Sequence, residues 1–209
     1  MQFFDCATAP SPRRARIFIA EKGLSIPTTE VALGKAEQLQ PAFLAINPRA
    51  TVPVLVTDEG LALTENLAIA TYLEAVHPAP ALMGRTPAEK AEILQWAAIA
   101  ETQGGQPVAE ALRNSNPHMK DRALPGPDNY AQIPELAERG LARIARWQQM
   151  LDARLTGREW LVGDSFSYAD ITAFVLTDFA RMVKKRLPEE LKAATAWYER
   201  MKARPSAAL

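Results

Sequence analysis

Thr51-Val52-Pro53-Val54-Leu55-Val56 leads into Asp58-Glu59-Gly60, then Leu61-Ala62-Leu63, then Thr64-Glu65-Asn66. A proline in an apolar, β-branched run cannot donate a ladder hydrogen bond. Pro53 therefore marks a strand end, an edge or a special backbone geometry. A cis Val52–Pro53 bond would turn the Val52 backbone outward, where it could pair with another peptide. Asp-Glu-Gly between two apolar runs is a turn signal, so residues 54–57 and 61–63 are expected to form a hairpin. Residues 64–76 follow as a helix, with Leu67, Ala70, Thr71 and Glu74 at helical spacing. A helix start is a natural anion site. Together the stretch points to a place that holds a small acidic peptide.

The surrounding chain bounds that reading. Its 209 residues suit one large domain or two small ones. Apolar residues make up 48% and charged residues 23%, so a core of useful size is available and disorder is not the default. Lys+Arg and Asp+Glu balance at 24 each, which gives no charge argument for nucleic acid or an anionic membrane. No apolar run approaches the roughly 20 residues that span a bilayer. Arg13, Arg14 and Arg16 follow the apolar start at once, unlike a signal peptide. The one cysteine, Cys6, leaves no internal disulfide and no CxxC redox or zinc pattern. The expectation is a cytoplasmic protein with no bound metal.

The first 80 or so residues alternate strand and helix signals. Residues 1–6 form a short apolar run. Ser11-Pro12 opens a helix through Lys22, with Ser11 as N-cap and Pro12 in the first helical position. Gly23 fits the stop beyond it. Residues 28–33 are expected as a second strand and 41–46 as a short helix ended by Asn47-Pro48. Residues 78–87, with three prolines and a glycine, read as a linker. Everything beyond is helical in pattern: 86–112 as one long helix bent near Gly104-Gly105, then 134–155, 167–184 and 189–204. Ser167 and Asp170 have capping-box spacing, with Phe166 and Ile171 at the ends of a hydrophobic staple. That segment is a folding element and receives no catalytic role.

These pieces resemble the cytosolic glutathione transferases over nearly the whole chain. Three segments carry the likeness: Asn47-Pro48 through Pro53-Val54-Leu55, then Thr64-Glu65-Asn66-Leu67-Ala68-Ile69, then Trp160-Leu161-Val162-Gly163-Asp164 through Tyr168-Ala169-Asp170. The resemblance implies an α/β thioredoxin-like N-terminal domain and an all-α C-terminal domain. Its expected bounds are 1–78 for the glutathione-binding domain, 79–86 for a linker and 87–209 for a helical domain lining the electrophile pocket. It further implies glutathione as co-substrate, a small electrophile as second substrate and a homodimer. By the same likeness Pro53 is the cis-proline and Val52 offers its backbone to the cysteinyl unit. Glu65 and Asn66 begin the helix that grips the γ-glutamyl end. The family usually has serine where Asn66 stands, although an amide can also donate to a carboxylate. Gln38 lies where several classes hold the glycyl carboxylate, and Thr51 is a second candidate for that end.

Conjugation needs a thiolate near neutral pH, whereas a free thiol of pKa about 8.5 is only roughly 3% ionised at pH 7. A donor and a helix N-terminus aimed at the sulfur lower that pKa. The donor is expected in Ala7-Thr8-Ala9-Pro10-Ser11-Pro12-Arg13-Arg14. By the resemblance, Ala9 falls where many classes have Ser or Cys, and it has no donor. Ser11 falls where a bacterial glutathione-disulfide-reducing subgroup has Asn. Ser11 is therefore the first catalytic candidate, Thr8 the second and backbone amides the third. Simple structural roles compete with these: Ser11 as an N-cap alone, Glu65 as macrodipole compensation, Cys6 as a small buried apolar residue, and Arg13, Arg14 and Arg16 as a solvated helix face or an interface. Three functions stay open at this point: conjugation, glutathione-dependent disulfide reduction, and glutathione binding without catalysis.

Overall fold

A computed structural model describes all residues, Met1–Leu209, and the chain divides into two compact units. The first comprises Met1–Pro80 with Leu124–Asn129 and Leu209, and the second Ala81–Ala123 with Tyr130–Ala208.

In the first unit the order is β1 (Gln2–Asp5), α1 (Pro10–Glu21), β2 (Thr28–Glu30), α2 (Pro41–Leu44), β3 (Val54–Val56), β4 (Ala62–Leu63) and α3 (Asn66–Val76). The sheet runs β2-β1-β3-β4, with β1 parallel to β2 and antiparallel to β3, and β3 antiparallel to β4. This is the expected thioredoxin-like arrangement, including the hairpin. The register pairs Phe3 with Leu55 and Phe4 with Val54, and the two pairs face opposite sides because side chains alternate along a strand. On the Val54 side, Cys6, Val31, Phe43 and Val52 form one cluster, with Phe4 edge-on to Phe43 at 6.2 Å. Phe3 and Leu55 are buried, as are Ile17 and Phe18 of α1 and Ile69 and Leu73 of α3, helices that pack on each other. β2 is shorter than expected. Glu37 Oε2 takes the Ala32 N–H at 2.7 Å and turns the chain away into 3-10 turns.

α1 starts one residue before the expected N-cap. Pro10 takes the first helical position, so Ala9 is the N-cap and Ser11 lies inside the first turn. Proline's fixed φ suits that position, and here it overrides the local preference of serine for the cap. The far end follows expectation. Gly23 has φ +66, and the N–H groups of Gly23 and Leu24 bond Ala20 O and Ile19 O, closing a Schellman motif. Lys22 is buried there and donates to His77 O at 2.8 Å and Pro80 O at 2.6 Å, with Glu74 as its ion-pair partner. α3 begins at Asn66, two residues later than expected, with Glu65 as N-cap. Val52–Pro53 is cis, as is Ala79–Pro80.

The second unit is helical: α4 (Pro87–Ile99), a π-helical segment (Ala100–Gly105), α5 (Gln106–Ser115), α6 (Pro134–Leu155), α7 (Tyr168–Phe179) and α8 (Lys192–Lys202). Thr86 and Glu89 form a capping box at the start of α4. The long helix expected over 86–112 is continuous but changes pitch at the two glycines. Pro107 cannot supply the next N–H, and a Cβ on Gly104 or Gly105 would meet Trp147 or Leu176 at 2.9 and 2.8 Å. α7 is the central helix, with every residue from Tyr168 to Thr177 buried. Buried Gln148 of α6 donates to Lys185 O and Arg186 O, at 3.2 and 3.1 Å, and fixes the turn beyond α7. α8 starts later than expected because Asp152 of α6 takes the Ala194 N–H at 2.9 Å, serving as its cap from outside.

Candidate functional site

The site is built on the loop from β1 into α1. Asp5, at the end of β1, is buried and accepts from the Cys6 N–H at 2.7 Å and from Arg16 Nη1 at 2.6 Å. Arg16 also donates to Cys6 O and Ala7 O, at 3.1 and 3.0 Å, so one guanidinium pins three consecutive residues. A planar fork of donors is suited to that task. The Ala7 N–H is held by Glu30 of β2 at 3.0 Å. The path into α1 is thereby fixed from two sides. Arg14, one turn into α1, is only 8% exposed, and its Nη2 donates to Ser11 Oγ at 3.3 Å. The expectation of a solvated arginine face is therefore wrong for Arg14 and Arg16, which point inward.

The second wall comes from the cis-proline loop. Asn47 is buried; its Nδ2 donates to Thr51 O at 2.7 Å and Thr51 Oγ1 at 3.1 Å, and its Oδ1 accepts the Arg49 N–H at 3.0 Å. This closes the turn that delivers Thr51-Val52-Pro53, with Ala50 at φ +51. Val52 lies in the same apolar cluster as Cys6, and Ala9 packs against that cluster.

The third wall is the start of α3. Asn66 is only 4% exposed, and its Nδ2 donates to Ser11 Oγ at 2.9 Å across 55 residues of sequence. Asn66 Oδ1 is buried with no hydrogen-bond partner, and so is Gln38 Oε1. Buried polar atoms are normally satisfied, and an orphan costs about 1–3 kcal/mol. Neither α1 nor α3 has a side-chain cap, whereas α4 and α7 carry capping boxes. An uncapped end alone means little, since α6 lacks a cap too. Beside a buried, unmatched side-chain oxygen it suits a polar ligand that meets the first-turn amides.

Of the residues singled out from the sequence, Ser11 and Asn66 meet directly. Thr51, Val52 and Pro53 form one loop held by Asn47. Glu65 is exposed and ion-paired with Arg49 at 3.0 Å. Gln38 is buried in the 3-10 turns after β2. Thr8 is exposed, with its hydroxyl 3.6 Å from Cys6 Sγ. No hydrogen bond joins Thr8 or Gln38 to the Ser11–Asn66 pair. Arg14, Asp5, Arg16 and Asn47 carry the site's framework without having been singled out for it. The signal for Asn47 was present as Asn-Pro, but it reads equally well as a helix stop.

The model of the glutathione S-transferase N-terminal domain matches residues 8–76, and that of the C-terminal domain matches residues 115–205. Glutathione S-transferase 2 of Saccharomyces cerevisiae is 37% identical over 209 residues, covering 99% of this chain and 87% of that protein. The chain belongs to the glutathione S-transferase family. The crystal structure of Gtt2 from Saccharomyces cerevisiae superimposes with a TM-score of 0.90 at 36% identity, over 100% of this chain and 99% of that one. The disulfide-bond oxidoreductase YfcG of Escherichia coli is 28% identical over 207 residues, 96% of this chain and 89% of that protein. Family members bind glutathione, and the function of this glutathione S-transferase is glutathione-related. No helix is long and apolar enough to cross a membrane.

Proposed function

We propose that this glutathione S-transferase adds glutathione to small electrophiles, with Ser11 donating a hydrogen bond to the thiolate. The observation that carries the proposal is the meeting of Ser11 and Asn66 at 2.9 Å, which joins the starts of α1 and α3. The first is where a thiol donor is expected, and the second is where the γ-glutamyl carboxylate is expected. Val52 would pair with the cysteinyl backbone, and Glu65 and Asn66 would open the helix that receives the glutamyl end. Gln38 and Thr51 would serve the glycyl end, where the Gln38 amide N–H group is the part able to donate to a carboxylate.

The sequence of α1 sharpens the case for Ser11 over backbone amides. Its first three residues are Pro10, Ser11 and Pro12, so Ser11 alone has an N–H among them. The Arg13 N–H is already directed at Ala9 O. Ser11 thus concentrates the amide and the hydroxyl of this helix start in one residue. Lowering the thiol pKa by about two units is worth roughly 2.7 kcal/mol and makes most of the thiol reactive at neutral pH. An electrophile held against the sulfur then reacts by proximity.

Ultraviolet titration of bound glutathione tests the proposal, since it reports binding and thiolate formation together. The expected result is a bound thiol pKa near 6.5, about two units below the free value. Ser11→Ala is expected to raise it by about one unit and to lower turnover with an aromatic electrophile about tenfold at neutral pH. Unchanged turnover in Ser11→Ala would remove the Ser11 hydroxyl from the mechanism and leave Thr8 or the backbone amides. The similarity to the Escherichia coli disulfide-bond oxidoreductase supports a second reading, glutathione-dependent disulfide reduction. Turnover of a glutathione mixed disulfide, measured beside conjugation, separates the two. A homodimer belongs to the same proposal, and sedimentation velocity checks it.

A further inference from the structure

We infer that Asn66 is a positioning residue for Ser11, aiming the serine proton at the ligand sulfur, and that the glutamyl carboxylate is left to the amides of α3. The inference rests on the proposed function and gives Asn66 a role other than a direct grip on the tripeptide. A serine hydroxyl has two acceptor lone pairs and one proton. Asn66 Nδ2 donates to Ser11 Oγ at 2.9 Å, and Arg14 Nη2 donates to the same oxygen at 3.3 Å. With two donors from two helices on that oxygen, the hydrogen bond left for Ser11 to make is the one it donates. Both donors also draw electron density from the O–H, and one is a cation, which strengthens the bond it can give to an anion.

The orientation of the Asn66 amide decides this. With Nδ2 on Ser11, the serine proton is free for a thiolate. With the amide turned about, Oδ1 would take that proton, Nδ2 would face the glutamyl side and the thiol would lose its donor. Nδ2 carries two N–H bonds, and the one directed at Ser11 fixes the amide, so the carboxylate is assigned to the uncapped first-turn N–H groups of α3 rather than to the second. The shorter serine that the family usually carries at this position has no comparable amide with which to reach Ser11. Asn66 and Ser11 are thus a coupled pair, and the coupling appears in the ionisation of the thiol rather than in affinity for the peptide.

The test is a double-substitution cycle on the full chain, read by ultraviolet titration of bound glutathione and by its Kd at pH 5.5, where the thiol is protonated. Asn66→Ala is expected to raise the bound thiol pKa by about half a unit to one unit and to leave the Kd within about twofold. In the Ser11→Ala background, Asn66→Ala is expected to have no further effect on the pKa. Asn66→Asp keeps the shape of the side chain but can only accept from Ser11 when ionised. It is expected to raise the thiol pKa by more than one unit, which keeps the test valid if Asn66→Ala disturbs α3. A Kd weakened tenfold or more with an unchanged thiol pKa would overturn the inference and assign Asn66 to the carboxylate. Additive pKa effects in the cycle would overturn it as well, leaving the proposed function intact. A wild-type protein that fails to bind glutathione, or binds it without lowering its pKa, would overturn both.

Discussion

Asp170→Ala is expected to lower the melting temperature by roughly 10–20 °C, the largest effect expected of a single substitution in the helical unit. Asp170 is fully buried in the first turn of α7. Its Oδ1 accepts the Leu161 N–H at 3.0 Å and Trp197 Nε1–H at 2.9 Å, so it ties the preceding loop and α8 to the central helix. Its Oδ2 accepts the Ser167 N–H at 3.1 Å, the return bond of a capping box, and the Ser167 hydroxyl at 3.0 Å. Alanine leaves three buried N–H groups unmatched, at about 1–3 kcal/mol each, or roughly 4–6 kcal/mol after relaxation. That is a large part of the roughly 5–15 kcal/mol that holds a domain together. Ser167→Ala removes only one hydroxyl and is expected to cost about 0.5–2 kcal/mol. Thermal melts of both variants check the order, and equal losses would show that the carboxylate is not the organising group.

The same carboxylate gives the unit a pH dependence of a definite sign. Burial pushes the Asp170 pKa up to about 6 from the ordinary 3.8, against the opposing pull of its four donors. The proton can be accommodated because the Ser167 hydroxyl can rotate and accept it. Between the two values the folded state holds more protons than the unfolded one. The stabilisation is therefore present below about pH 4 and lost as pH rises through 6, by up to about 3 kcal/mol. The amide introduced by Asp170→Asn cannot titrate, so the stability advantage of wild type over that variant is expected to shrink between pH 5 and pH 7. A constant gap over that interval would show that Asp170 stays ionised throughout.

What was legible in the sequence was what lies within a few residues of itself. Pro53 announced a special strand end, the 58–60 turn announced a hairpin, and the spacing of Ser167 and Asp170 announced a cap, because each signal spans one turn of chain. The start of α1 is set by a contest between neighbours: serine favours the cap, but Pro10 favours the first helical position and wins. The burial of Arg14 and the inward turn of Arg16 could not be read locally. Arg16 turns inward for Asp5, eleven residues away, and Arg14 is drawn to a serine whose other partner is on α3. The contact between Ser11 and Asn66 spans 55 residues, so both residues were visible as candidates while their bond was not. It is that bond which turns a list of plausible ligands into an arrangement with a direction for one proton.

Gly140 carries the second large effect, and it runs against local propensity. In the middle of α6 an alanine should gain about 1 kcal/mol over glycine. A Cβ at Gly140, however, would stand 2.5 Å from Pro107 O and 2.8 Å from Ala111 N. Both are backbone atoms of α5, so no rotamer change relieves the clash and the two helices must separate. α5 is not free to retreat. It continues from the π-helical segment, whose Gly104 and Gly105 already lie against Trp147 of α6 and Leu176 of α7. Close-packed interiors resist such a shift, and overpacking typically costs about 1–3 kcal/mol and occasionally more. The backbone contact places Gly140→Ala at or above the top of that range, and a melting temperature lower by roughly 5–12 °C is expected. Gly34→Ala is the control: a Cβ there meets nothing within 4 Å, and its φ is not positive. That variant is expected to melt within about 2 °C of wild type, since reduced unfolded-state entropy is the main term left. If Gly140→Ala melts at or above wild type, α5 and α6 can part without loss, and the close approach is a consequence of the glycine rather than a requirement for it.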